Sequence, residues 1–312
     1  MSAIDISVDL CGYHLSNPTV LASGILGLSH DVLARVARSG AGAVTTKSCS
    51  LKPRSGYPNP TVLDWGPGLI NAVGLSNPGV EVMVEEIQAA KAKLAPLGVP
   101  VIASIFADTI YDFGTVTRFI SEAEPDILEV NVSCPNLDDR YQQMFAADPY
   151  VSAQVTRRVK RYTDAPVLVK LSPNVTDISK IAEAVVEAGA DGITAINSVG
   201  PGLIIDVETR RPVLSHGTGG LSGPAIRPIA VRCVRDICKV VDVPVVATGG
   251  VRGGRDIVEM LLVGATAVSI GSAIRYRGMD VFHKATSELE AYMRQHGHED
   301  LESLRGTAIL DP

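Results

Sequence analysis

The chain has 312 residues, 46% of them apolar and 20% charged, which is ordinary for a globular protein with a sizeable core and a common length for one α/β barrel. Its formal charge is −6, its basic residues are scattered, and one Trp and five Phe offer little for base stacking, which argues against nucleic acid or an anionic membrane as partner. No uninterrupted apolar run reaches the roughly 18 residues of a membrane span.

The opening DISVDLCGYHLSNP alternates as a small hairpin would, and such a hairpin could plug one end of a barrel. A single unit then recurs: a short apolar, β-branched run followed by an amphipathic helix. The runs predict strands at 19–23, 43–47, 101–106, 127–132, 167–171, 192–196, 245–248 and 267–270. Helices are expected near 31–39, 79–95, 112–123, 149–162, 177–188, 225–240, 254–263 and 279–295. Glycine closes many of them (SGAGAV, LGVPV, EAGADGI, VGATAV), the usual C-terminal signal. Strands apolar on both faces that alternate with helices make a parallel sheet, and eight such units point to a closed (β/α)8 TIM barrel. No internal linker or low-complexity segment interrupts the pattern, so residues 1–312 are expected to form a single domain.

Two connections are long and rich in Pro and Gly, 48–78 and 199–222. Both follow strands, which puts them at the C-terminal face, where barrels of this kind carry their chemistry. Polar groups stand at the same ends: Ser23, Lys47 and Ser48, Asn131 with Cys134 just beyond, Lys170, Asn197 and Ser198, Gly249 and Gly250, Gly271 and Ser272. A single strand-end lysine is ordinarily a snorkelling or salt-bridged residue. Two lysines, a thiol and several asparagines on one rim indicate a site. The bare backbone of the glycine pairs suits a phosphate, and GGLSG at 219–223 could complete the cradle; each pair alone is equally compatible with plain turn chemistry. Dinucleotide and P-loop fingerprints are missing from the sequence, so a mononucleotide-type phosphate is expected rather than NAD. No metal is expected, because six histidines are dispersed and no HExxH or paired Cys/His set occurs. Five cysteines at wide spacing, and a start without the basic and apolar regions of a signal peptide, predict reduced thiols in a cytoplasmic protein.

Together NVSCPN at 131–136, TTKS at 45–48, NAVGLSNP at 71–78, KLSP at 170–173, Asn197-Ser198 and GGLSGPAIRP at 219–228 resemble the class 1 dihydroorotate dehydrogenases. The match is collinear from LASG at 21–24 to GSA at 271–273. The resemblance implies tightly bound FMN and oxidation of (S)-dihydroorotate to orotate in pyrimidine biosynthesis. Carried over by motif, Cys134 is the catalytic base, with Lys47 and Lys170 as catalytic partners. Lys47, Asn71, Asn131, Asn136, Asn197 and Ser198 bind the substrate, together with the 72–75 segment (Ala72, Val73, Gly74, Leu75). FMN is implied to lie against Ser23, Lys47, Ser48, Ser104, Asn131, Lys170, Ile196, Gly223, Gly249, Gly250, Gly271 and Ser272. Ser104 departs from the asparagine common at that position in the NAD-linked branch. GGLSGPAIRP is most similar to the catalytic subunit of that NAD-linked (class 1B) branch, whereas Asn197-Ser198-Val199-Gly200 also resembles the fumarate-linked one. A homodimer is expected, working with an electron-transfer flavoprotein/iron–sulfur subunit that carries FAD and a 2Fe–2S cluster. The rival readings are a dihydropyrimidine dehydrogenase-like FMN enzyme and a flavin-binding barrel without turnover. Cys134 and the asparagine set disfavour the last, since binding flavin requires neither.

Overall fold

The computed structural model describes residues 4–133, 145 and 147–309. Eight parallel strands, Thr19–Leu21, Ala43–Thr45, Val101–Ile105, Ile127–Asn131, Val167–Leu171, Gly192–Ala195, Val245–Thr248 and Ala267–Ile270, close into a barrel in chain order. The last strand pairs with the first through Val268–Thr19 and Ile270–Leu21. The (β/α)8 TIM barrel is therefore present as expected. Its strands are buried along their whole length, as strands covered by the barrel interior on one side and by helices on the other must be.

Helices follow each strand because their apolar residues recur on one face. In Val80–Leu94, Met83, Ile87, Ala90 and Leu94 form a buried stripe at spacings of four, three and four. Polar caps start several helices: Ser29, Thr109, Asp148 and Asp177 each accept a backbone N–H of the first turn. Glycines end them as expected, for instance Gly189 at φ +102° behind Ile178–Glu187, a conformation that a Cβ would strain. Among the described residues no helix is long and apolar enough to cross a membrane.

The N-terminal hairpin pairs Val8–Leu10 with Tyr13–Leu15. Leu10 and Leu15 are fully buried, and the Cys11 thiol donates to the Asp191 carbonyl (3.4 Å) just before the sixth barrel strand. The hairpin thus covers the N-terminal end, opposite the site.

At the other end the structure corrects the expectation of structureless connections. The 48–78 and 199–222 segments build one antiparallel sheet over the mouth: Val62–Asp64, Leu69–Asn71, Thr218–Ser222 and Val199–Leu203. Asn71 pairs with Gly220 and Ile70 with Leu221. Ile70, Ala72 and Leu214 form a small apolar core of their own. The Tyr57 and His216 rings stack at 3.9 Å, Ser215 donates its N–H to the Pro60 carbonyl (3.0 Å), and its hydroxyl bonds the Pro58 carbonyl.

Candidate active site

The strand ends and the mouth sheet enclose a cavity of about 370 Å³. Side chains alternate along a strand, so residues two apart share a face. Asn131 lines the cavity, which turns Glu129 and Ile127 of the same strand toward the barrel interior as well. Lys170 is the register partner of Asn131 on the fifth strand. Its ammonium group donates to Ser23 Oγ on the first (2.9 Å) and lies 3.9 Å from Glu129 Oε1. Both members of this ion pair are buried, Lys170 6% and Glu129 4% exposed.

Most residues proposed from the sequence meet here. Ser23, Lys47, Ser48, Asn71, Val73, Gly74, Leu75, Asn131, Lys170, Ile196, Asn197 and Ser198 all line the cavity, as do Gly223, Gly249, Gly250, Gly271 and Ser272. Two do not. Ala72 is buried in the small apolar core, and Ser104 lies beneath the cavity, its hydroxyl 2.8 Å from Ser48 Oγ and donating to Glu129 Oε1 (3.0 Å). Cys134 and Asn136 lie outside the described residues.

A directed network holds the asparagines. Asn197 Nδ2 donates to Ser133 Oγ (3.0 Å) and to the Ser133 carbonyl (3.1 Å), and Ser133 Oγ donates to Asn131 Oδ1 (3.0 Å). Asn131 Nδ2 donates in turn to Ser48 Oγ (3.5 Å). Asn197 Oδ1 accepts the N–H of Ser198 (2.8 Å), and Asn71 Nδ2 donates to the Gly220 carbonyl across the mouth sheet (3.2 Å). Asn71, Asn131 and Asn197 are thus each oriented by a neighbour from another element.

The opposite wall is backbone. Gly250 has φ +78°, and a Cβ there would sit 2.6 Å from Arg227 Cβ, so the chain lies bare at this point for want of room. The Arg227 side chain turns to acids, bonding Asp256 and reaching Glu259 at 2.9 Å. The ionisable side chains among the lining residues are Lys47 and Lys170, which makes the cavity basic. Elsewhere burial pushes the Cys11, Cys49 and Cys238 thiols up to about 12, which suits inert core cysteines. Among the described residues no cluster of three or more His, Cys, Asp or Glu could hold a metal.

Sequence reasoning missed Glu129. The apolar run that predicts the strand at 127–132 hides it, although a charge within such a run is the available signal. It also missed Val62 and Leu69, which reach the cavity only because the mouth sheet forms, and Thr248 and Ser269 on the seventh and eighth strands.

The family model described as dihydroorotate dehydrogenase matches residues 5–293. The chain belongs to the dihydroorotate dehydrogenase family. It is 45% identical over 303 residues to the "Dihydroorotate dehydrogenase B (NAD(+)), catalytic subunit" of Methanothermobacter thermautotrophicus, covering 97% of this chain and 98% of the relative. Proteins of the same name from Methanocaldococcus jannaschii and Pyrococcus abyssi are 41% and 40% identical, each over 97% of this chain and over 98% and 99% of the relative. Family membership accords with a mouth built from the TTKS, NAVGLSNP, KLSP and GGLSG segments.

Proposed function

We propose that this chain oxidises dihydroorotate to orotate in pyrimidine biosynthesis, with FMN bound in the mouth cavity and residues 1–312 acting as one barrel unit. The carrying observation is the juxtaposition, in a chain of this family, of a bare glycine wall with two lysines and with the hydrogen-bonded asparagines Asn71, Asn131 and Asn197. The donor set fits the cofactor. Gly223, Gly249, Gly250 and Gly271 leave backbone exposed where a phosphate needs N–H groups and no Cβ. Ser23, Lys47, Ser48, Asn131 and Lys170 supply the polar groups that a flavin ring edge takes. Bound there, FMN would supply the two-electron acceptor for the hydride that leaves the substrate.

The oxidation removes a proton from C5 and a hydride from C6 of dihydroorotate and leaves a double bond between them. Cys134, three residues beyond Asn131, takes the C5 proton onto its sulfur; general-base help of this kind contributes about 10²–10⁴-fold. Asn71, Asn131, Asn136 and Asn197, with Ser198, bind the pyrimidine carbonyls, ring N–H groups and carboxylate, work that suits a side chain offering both donor and acceptor. Lys47 meets the substrate carboxylate, to which the backbone N–H groups of Gly74 and Leu75 also turn. Lys170 stabilises the negative charge that develops on the cofactor side. The dihydropyrimidine dehydrogenase-like alternative is less well supported, because NAVGLSNP at 71–78 suits a substrate that carries a carboxylate.

We read the words "catalytic subunit" in the relatives' names as pointing to a second subunit, one that carries FAD and a 2Fe–2S cluster, and take the chain itself to work as a homodimer in the cytoplasm. Purified chain reconstituted with FMN should bleach on dihydroorotate under anaerobic conditions and release orotate in equal amount. A flavin that stays oxidised would overturn the reading.

A further inference from the structure

Glu129 is a buried acid within a barrel strand, level with Ser104 on the neighbouring strand, and no step of the reaction above uses it. Its surroundings converge on it. Lys170, on the neighbouring strand, places its ammonium 3.9 Å away, and Ser104, on the other neighbouring strand, donates to Oε1 at 3.0 Å. Because that Ser104 proton is committed, the Ser48–Ser104 contact of 2.8 Å runs from Ser48 to Ser104. Asn131 Nδ2 then donates to Ser48. Three successive donors, two of them from cavity-lining residues, end on this carboxyl group. A buried charge is tolerated only when paired and hydrogen-bonded, and this one has both conditions met.

We propose that Glu129 is a positioning residue for the reaction: paired with Lys170 and anchoring the Ser104–Ser48–Asn131 chain, it sets the charge that the barrel floor presents to the cofactor. The proposal rests on the reading that FMN occupies the cavity above Lys170. With both partners present the carboxylate offsets part, not all, of the lysine's positive charge at the cofactor, because Lys170 lines the cavity and Glu129 does not. Removing the acid alone leaves an uncompensated positive charge beside the cofactor, which favours its reduced, more negative form. Removing the lysine alone leaves a carboxyl group buried without a counter-charge, and such a group takes up a proton rather than remain charged.

The test is a double-mutant cycle read as the midpoint potential of bound FMN, measured by dye-linked anaerobic reduction. Glu129→Gln keeps the size and an acceptor for Ser104 while removing the charge. It should raise the potential by an amount equivalent to about tenfold in preference for reduced over oxidised FMN, about 30 mV for two electrons. Lys170→Met should lower the potential, and Glu129→Gln made in that background should leave it unmoved. A shift of equal size in both backgrounds would mean that the carboxylate acts on the cofactor directly, and no shift in either would leave it a packing residue; each result overturns the proposal. Should Glu129→Gln fail to fold while the double variant folds and binds FMN, that rescue is the predicted coupling. Should both fail, Glu129→Asp, which withdraws the charge by one methylene, must raise the potential by a smaller amount or the proposal falls. Failure of the underlying reading looks different: the wild-type chain would not retain FMN, or Lys170→Met would leave the potential unchanged.

Discussion

Cys134 and Lys47 are the two residues whose substitution separates chemistry from binding. Cys134→Ala should keep yellow, bound FMN yet slow flavin reduction by dihydroorotate by roughly two orders of magnitude or more, since the base is lost and the cofactor contacts are not. Serine there should also be slow near neutral pH, because a hydroxyl is a far weaker acid than a thiol of pKa about 8.5 and is hardly ever in the deprotonated form that accepts a proton. Stopped-flow reduction of Cys134→Ala at the wild-type rate would remove the residue from the mechanism. Lys47 stands on the cavity wall beside Ser48 with its backbone N–H tied to the Gly27 carbonyl (2.9 Å). That tie fixes where its side chain starts. Lys47→Ala should therefore weaken orotate by about 1.5–3 kcal/mol, the loss expected for a charge-assisted bond to a carboxylate. The dissociation constant, read from the flavin absorbance change, checks this, and an unchanged value would place the carboxylate elsewhere.

The mouth sheet holds Asn71, whose amide donates to the Gly220 carbonyl, and it is the element least visible in the amino-acid sequence. Gly219 lies in the strand Thr218–Ser222, and a Cβ there would approach the Asn71 carbonyl oxygen and Leu214 Cδ1 to 2.6 Å each. Gly219→Val should push the strand from Asn71 and loosen orotate binding at least several-fold. The barrel is built from other residues, so the cost to the whole fold should stay within the roughly 1–3 kcal/mol typical of overpacking. Orotate titration alongside thermal unfolding separates the two, and a variant that binds orotate normally would show that the sheet does not set the site. The eight barrel strands were legible because each is a continuous apolar run followed by a helix with its own period. Three of their predicted ends, at 171, 248 and 270, fall where expected, and five overran by one or two residues, at polar Ser23 and Lys47 and at apolar Phe106, Val132 and Ile196, where the run continues past the ladder. The mouth sheet was not legible: Asn71 and Gly220 pair across 149 positions, and Gly and Pro, which ordinarily mark loops, fill both segments. Lys170 and Asn131 could be found because they end strands, whereas Glu129 lies mid-strand and its meaning depends on which neighbour faces it.

At the scale of the whole molecule the distribution of chemistry predicts a division of labour between two proteins. Among the described residues the barrel carries at its C-terminal face a cavity lined by two lysines, its other end is covered by the N-terminal hairpin, and its sequence has no dinucleotide fingerprint. Apart from Cys233 and Cys238 the cysteines are widely spaced along the chain, short of the clustered set of four that iron–sulfur ligation uses, and Cys49 and Cys233 are buried in the core. Electrons that enter through dihydroorotate therefore have a seat on this chain but no evident route to a nicotinamide. The isolated, FMN-loaded chain should be reduced by dihydroorotate and reoxidised by dyes or oxygen, while NAD reoxidises it hardly at all. Fumarate should serve poorly too, since the relatives reported above bear NAD(+) in their names. The assay gives the loaded chain dihydroorotate with NAD or with fumarate and follows NADH and succinate. Rapid NADH formation by the chain alone would overturn the need for a second subunit, and rapid succinate formation would move the protein to the fumarate-linked branch. Adding a flavoprotein that carries FAD and a 2Fe–2S cluster should restore NADH formation without altering the rate at which dihydroorotate bleaches the barrel's own flavin. That invariance follows from the proposed site: the cavity-lining residues Lys47, Asn71, Asn131 and Asn197, to which substrate binding is assigned above, all belong to this chain, so a partner that only receives electrons leaves them as they are.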